Sequence, residues 1–435
     1  MRIVMFTNTY APHVGGVARS VAAFAREYRE RGHDVLVVAP AFRDQAEHED
    51  NVIRIPAIQN FNGSDFSVPL VPPSELGRRL DEFDPQIVHS HHPFLLGNEA
   101  VRVARVHELP LVATHHTLYE QYTHYVPADS AVLRRFVVEL ATCYANLCDH
   151  VIAPSESIAE LIVERGVETP VTVVPTGVDY PFFCQGDGAR FRKENRIGED
   201  TFVVGHVGRL APEKNLGFMT DGVIEFLRDR PDALFLVAGK GPSEEGITAQ
   251  FADNGLQNRL RLLGELDHDN LRDVYAAMHV FVFASQSETQ GMVLAEAMAT
   301  GTPVVAVDAS GVREIVRDEV NGRLLPEEDR DAFVSGLRWV ADLDADRYLR
   351  LRDSADRTAQ EFSLERCANR ALAVYEKLLD RAERRNQDFD AWTRIVEQLA
   401  AQWEILRGSA RALRAATVDH IVDGEPDEDS EQGVR

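Results

Sequence analysis

The sequence is short of lysine, cysteine and long apolar runs. Only Lys193, Lys214, Lys240 and Lys377 are lysines among 46 basic residues. Its four cysteines, Cys143, Cys148, Cys184 and Cys367, form no C-x-x-C pair, so neither a zinc site nor a disulfide framework is read from them. No apolar run reaches the length a bilayer requires. Residues 1–8 are a short apolar segment with one arginine, too short for a secretory signal. The expected location is therefore the cytoplasm, with a peripheral position at the inner membrane face left open. G-x-G-x-x-G and H-E-x-x-H are absent, and no D-x-D stands at a plausible site. A dinucleotide fingerprint and a zinc protease are thus excluded, and neither a cofactor nor an essential metal is expected.

Charge of one sign dominates what is present. Asp and Glu number 70 against the 46 basic residues, a net charge of −24. Such a surface argues against nucleic acid as a partner and against spontaneous adhesion to anionic lipid. It also suits a saline cytoplasm, although biased base composition explains the missing lysines as well. At 435 residues the chain exceeds one ordinary core, so two domains and a tail are expected.

The periodicity supports that division. A strand over 2–8, a helix over 17–31 stopped at Gly32, and a strand over 35–39 make a βαβ unit, which implies a parallel sheet. The alternation continues to about 176, forming an N-terminal Rossmann-like domain. A stretch over 177–200 near several Pro and Gly residues reads as a linker. A second alternating series over 201–385 predicts another Rossmann-like domain, its last helix crossing back to the first. The fold class is α/β: two doubly wound domains facing across a cleft, with ligands expected at the carboxyl ends of the strands.

Three motifs stand in loops that follow strands. Gly15 and Gly16 open a helix, where glycine lets backbone approach a ligand and the helix N-terminus favours an anion. Arg209 and Lys214 flank the loop after the strand at 202–207, and two cations there suit a diphosphate leaving group. The alternative is an ordinary solvated loop. The third motif spans 285–303: Glu288 lies in a loop, Gln290, Gly291, Met292 and Val293 start a helix, and Glu296 follows within it. Carboxylates there can accept from sugar hydroxyls. Read blandly, Glu288 is a helix-terminal charge and Glu296 a surface residue.

Together these motifs resemble family 4 glycosyltransferases, a retaining group with the GT-B fold. The resemblance rests on Glu288 and Glu296 separated by seven residues, the GRLxxEK pattern at 208–214, and Gly15-Gly16; it covers about 1–379. It implies that Arg209 and Lys214 contact the donor diphosphate, Glu288 the transferred sugar with residues 290–293 around it, and Glu296 the ribose. It also places Gly15 and Gly16 near the diphosphate, and His116 near the donor sugar and reaction centre. His91 would lie on the acceptor side. With His89, His92 and His115 these histidines are unpromising as metal ligands, and a buried structural role remains open for both His91 and His116. The donor would be a nucleoside diphosphate sugar, UDP favoured.

Residues 114–127, THHTLYEQYTHYVP, and the ETQG of the third motif resemble enzymes that glucosylate diacylglycerol. The implied reaction moves a hexose, glucose favoured, to a lipid hydroxyl, with a soluble polyol or sugar acceptor, or mannosyl transfer, as alternatives. A sugar-nucleotide 2-epimerase and a silent binding protein are the rivals of another class. The strong acidity departs from the basic character of membrane-bound members. Beyond 386, apolar residues including Phe389, Trp392, Trp403 and Leu413 recur at heptad-like spacing and predict a helix for self-association or docking. An acidic end predicted to be disordered follows.

Overall fold

The computed structural model describes residues 1–386 except 14, 43–44, 46–48, 59–67, 70–72, 122–129 and 286–287. The predicted tail helix and acidic end lie outside the described residues, as does much of 114–127. The chain divides into two compact units. One holds Met1–Ile152, Glu160–Thr172 and the described residues from 373 onward; the other holds Ala153–Ala159 and Val173–Leu372.

In the first unit the chain runs β1 (Arg2–Phe6), α1 (Gly16–Glu30), β2 (Asp34–Pro40), β3 (Val52–Ile55), β4 (Ala57–Ile58), β5 (Val68–Pro69) and α2 (Pro73–Phe83). It continues through β6 (Ile87–Ser90), α3 (Leu96–Val106), β7 (Leu111–Thr114), α4 (Ala131–Ala145), β8 (His150–Ala153), α5 (Glu156–Glu164) and β9 (Val171–Val173). Seven strands form one sheet in the order β3-β2-β1-β6-β7-β8-β9. Strand β1 pairs in parallel with both β2 and β6. The order reverses there, so the loops after β1 and β6 flank the topological switch point. These loops carry Gly15-Gly16 and the His91-His92 pair.

The second unit follows the same logic. After α6 (Tyr180–Phe183) and α7 (Gly188–Glu194) come β10 (Phe202–Val207), α8 (Leu216–Asp229), β11 (Ala233–Ala238), α9 (Glu244–Asp253) and β12 (Leu260–Leu262). Then follow α10 (His268–Ala277), β13 (Val280–Phe283), α11 (Met292–Ala299), β14 (Val304–Val307), β15 (Gly322–Leu325), α12 (Arg330–Ala341) and α13 (Ala345–Glu361), and α14 (Leu364–Asn386) starts here but belongs to the first unit from residue 373. The six-stranded order β12-β11-β10-β13-β14-β15 reverses between β10 and β13. Their following loops carry Arg209 and Lys214 on one side and Glu288 on the other.

Both faces of this sheet are buried, which is why its strands read as nearly continuous apolar runs. Phe281 and Phe283 enter one core with Leu236 and Val304, while Val280 and Val282 enter the other with Phe235 and Val305. Each such side chain contributes about 1.5–3 kcal/mol on burial.

The stretch expected as a linker is packed structure. A Cβ on Gly188 would lie 2.2 Å from the carbonyl oxygen of Ala276, and one on Gly186 2.7 Å from that of Arg272. These glycines allow α7 and its approach to sit against α10. The Asp187 amide donates to Asp273 at 2.8 Å, and Arg190 pairs with the same carboxylate. Close contact with a distant helix, not chain flexibility, accounts for the glycines.

Candidate active site

The cation loop of the second unit is held by backbone. The Leu210 amide donates to the Lys240 carbonyl and the Ser243 amide donates back to the Leu210 carbonyl, both at 2.9 Å. A Cβ on Gly241 would fall 2.2 Å from that Leu210 oxygen. A short 3-10 turn, Pro212–Lys214, then leads into α8. Arg209 pairs with Glu213 in this turn, and the Ser285 hydroxyl donates to the Glu213 carbonyl at 3.3 Å.

Lys214 and Glu288 meet directly. Their Nζ and Oε2 lie 3.1 Å apart, with about a fifth of each side chain exposed. The ammonium also stands 5.8 Å from the centre of the Phe283 ring. The residues separated by 74 positions therefore form one polar cluster at the switch point.

Gly291 has φ +70° and caps α11, so the turn from the Glu288 loop needs a residue free of a Cβ penalty. Gly311, at φ +75°, packs on this turn so closely that a Cβ would sit 2.5 Å from the Gln290 amide nitrogen. Gln290 is buried, and Met292 and Val293 are partly exposed in the first turn, where amide groups lack intrahelical acceptors. Glu296 is not a surface residue. It is 6% exposed, and its Oε2 accepts from the Tyr275 hydroxyl at 2.7 Å. Sequence spacing gives no warning of Tyr275, which lies on α10.

Beneath the cation loop, His206 is buried and donates from Nδ1 to the Val282 carbonyl at 3.0 Å. Its Nε2 has no hydrogen-bond partner among the described residues. Burial lowers its pKa to about 4, with the nearby Lys214 charge adding to the shift.

In the first unit, Gly15 caps α1 in extended conformation, and a Cβ there would meet His13 Nε2 at 3.1 Å. A Cβ on Gly16 would meet nothing within 4 Å. The histidines cluster. Asn8 shapes the loop by donating its backbone amide to His92 Nδ1 and accepting the Leu96 amide on Oδ1, both at 3.1 Å. His91 and His116 approach at 2.9 Å through Nδ1 and Nε2. His91 is 1% exposed, so its ring faces His116 and protein rather than solvent. Burial pushes the pKa of both His89 and His92 to about 3, and drives those of His91 and His116 well below the usual value. Among the described residues no group of three or more His, Cys, Asp or Glu is placed to hold a metal ion. No helix among them is long and apolar enough to cross a membrane.

Two family models match successive stretches: Glycosyltransferase Family 4 over residues 14–180 and Glycosyl transferases group 1 over 187–360. D-inositol 3-phosphate glycosyltransferase 1 of Catenulispora acidiphila is 30% identical over 395 residues, covering 84% of this chain and 91% of that protein. The chain belongs to glycosyltransferase family 4. Two further relatives of this glycosyltransferase carry different names. The alpha-monoglucosyldiacylglycerol synthase of Streptococcus pneumoniae is 29% identical over 335 residues, 74% of this chain and 75% of that one. The GDP-mannose-dependent alpha-mannosyltransferase of Corynebacterium glutamicum is 27% identical over 359 residues, 79% and 81% of the two chains. Among solved structures, Anabaena HepE in complex with UDP matches with a TM-score of 0.68 at 22% identity, covering 87% of this chain and all of that one. That likeness shows the GT-B fold of this glycosyltransferase.

Proposed function

We propose that this glycosyltransferase moves a hexose, glucose favoured, from a UDP-sugar to a lipid hydroxyl such as that of 1,2-diacylglycerol, with retention at the anomeric carbon. The observation that carries the donor assignment is the Lys214–Glu288 cluster at the β10/β13 switch point. Lys214 and Arg209 stabilise charge on the departing diphosphate, and such stabilisation is usually a large catalytic term. Glu288 accepts from hydroxyls of the transferred sugar, and Glu296 from the ribose. In the step, the bond from anomeric carbon to diphosphate oxygen breaks, and the acceptor oxygen bonds to that carbon on the same face. The acceptor proton passes to a phosphate oxygen of the leaving group. No metal or cofactor is assigned a part, so activity should survive EDTA.

The lipid acceptor is supported by the resemblance to diacylglycerol glucosyltransferases, which the pneumococcal relative's name shares. Protein acting on lipid would work at the inner membrane face, where salt shortens the reach of repulsion from its acidic surface. A soluble polyol acceptor is the second reading, favoured by the name of the Catenulispora relative. Labelled UDP-glucose and GDP-mannose are each offered with diacylglycerol in mixed micelles, with inositol phosphate and with glycerol. Glucolipid is the expected product. Product with soluble acceptors alone overturns the lipid assignment, and an epimer released from donor alone overturns transfer itself.

A further inference from the structure

His91 has one ring nitrogen paired and one unpaired. Its Nδ1 lies 2.9 Å from His116 Nε2, with the two rings stacked at 5.2 Å. Its Nε2 is buried and has no hydrogen-bond partner among the described residues. Both rings are neutral at physiological pH, because burial and their histidine neighbours oppose protonation. His91 therefore carries one proton, with two possible homes. On Nε2 it would be a buried N–H with nothing to accept it. On Nδ1 it bridges to His116, and only a lone pair stays unused. A buried orphan donor is the rarer and costlier arrangement.

We infer that His91 donates from Nδ1 to His116 Nε2 and so fixes His116 as the tautomer with its proton on Nδ1. The donor ring is held in place. The His91 backbone amide donates to the Phe6 carbonyl at 2.9 Å, and its ring packs 4.1 Å from that of His89. His89 is pinned at both nitrogens, by the Tyr375 hydroxyl of α14 at 2.6 Å and by the Thr114 hydroxyl at 2.7 Å. Helix α14 thus secures the packing on which the tautomer depends. His91 is a positioning residue.

The consequence rests on the proposed reading that His116 lies at the reaction centre. With Nε2 engaged as an acceptor and its proton on Nδ1, His116 has no spare lone pair with which to take the acceptor's proton, which is left to the departing phosphate.

The test is a two-bond 1H–15N correlation spectrum of the full chain labelled with 15N-histidine, His116 being assigned by its loss in His116→Gln. His116 should show the pattern of a neutral ring protonated at Nδ1. In His91→Leu it should move toward the Nε2-protonated form, and in His91→Gln, whose amide can donate, it should keep the Nδ1 form. Losing one neutral hydrogen bond that orients a reacting group should lower kcat about tenfold in His91→Leu, with donor KM little changed and much of the loss recovered in His91→Gln. An Nε2-protonated His116 in the unsubstituted protein overturns the inference, whether or not the variants fold. The expected tautomers with unaltered kcat in His91→Leu uphold it, and instead remove His116 from the reaction centre.

Discussion

Lys214 and Glu288 are one ion pair, so substituting either disturbs two donor contacts at once. Lys214→Ala and Glu288→Gln are each expected to lower kcat/KM by about 10²-fold or more through lost charge stabilisation. The pair is about four-fifths buried, so each variant should also lose about 1–3 kcal/mol of stability without unfolding. Near-normal turnover with both variants would remove these residues from the donor site. Tyr275→Phe makes a different prediction. It deletes the hydroxyl that donates to buried Glu296, and losing a donor to a buried group costs about 1–3 kcal/mol. Calorimetry should show weaker binding of UDP, with a smaller loss for 2′-deoxy-UDP if the ribose contact is real. Equal losses for the two ligands would mean that Tyr275 serves the fold alone.

At the scale of elements, the Lys214–Glu288 cluster exists because strand order reverses within the second unit. The loops after β10 and β13 lie side by side only because those strands are neighbours. The geometry of the second loop is set from behind by the turn containing Gly311. Gly311→Ala would put a side chain at φ +75° against backbone, and left-handed conformation alone costs about 1–2 kcal/mol. The loop over 289–291 must then shift, so donor KM should rise several-fold while α8 and the strands keep their structure. A melting temperature and donor KM both equal to those of the unsubstituted protein would show this packing to be slack.

At the scale of the molecule, buried neutral histidines tie stability to pH. His89 and His92 titrate at about 3 in the folded chain, His115 and His206 at about 4, against an ordinary 6.5. Below 6.5 the unfolded chain takes up protons that the folded chain refuses until those lower values. Their contribution is therefore complete above about 6.5 and declines as pH falls, by about 1.4 kcal/mol per pH unit for each histidine. The melting temperature should drop from pH 7 to pH 5, before most carboxylates protonate and relieve the acidic surface. His206→Leu should flatten the decline in the transition of the second unit. A flat profile in the unsubstituted protein would contradict burial of these rings as neutral groups.

The sequence by itself determined the α/β alternation, because the sheets are buried on both faces and their strands read as apolar runs between helical periods. It also determined the family, since its motifs are local: a loop, a turn and one helix carry Arg209, Lys214, Glu288 and Glu296 within short spans. The glycines at 186 and 188 misled, because a breaker and a close contact with a distant helix look alike in one dimension. Tertiary structure alone decided that Lys214 meets Glu288, that Tyr275 holds Glu296, and that His91 turns its ring to His116 while Tyr375 secures His89. These partners are 74, 21, 25 and 286 positions apart. Hydrogen bonds at such separations are set by which strands and helices become neighbours, and no local pattern of residues records that choice.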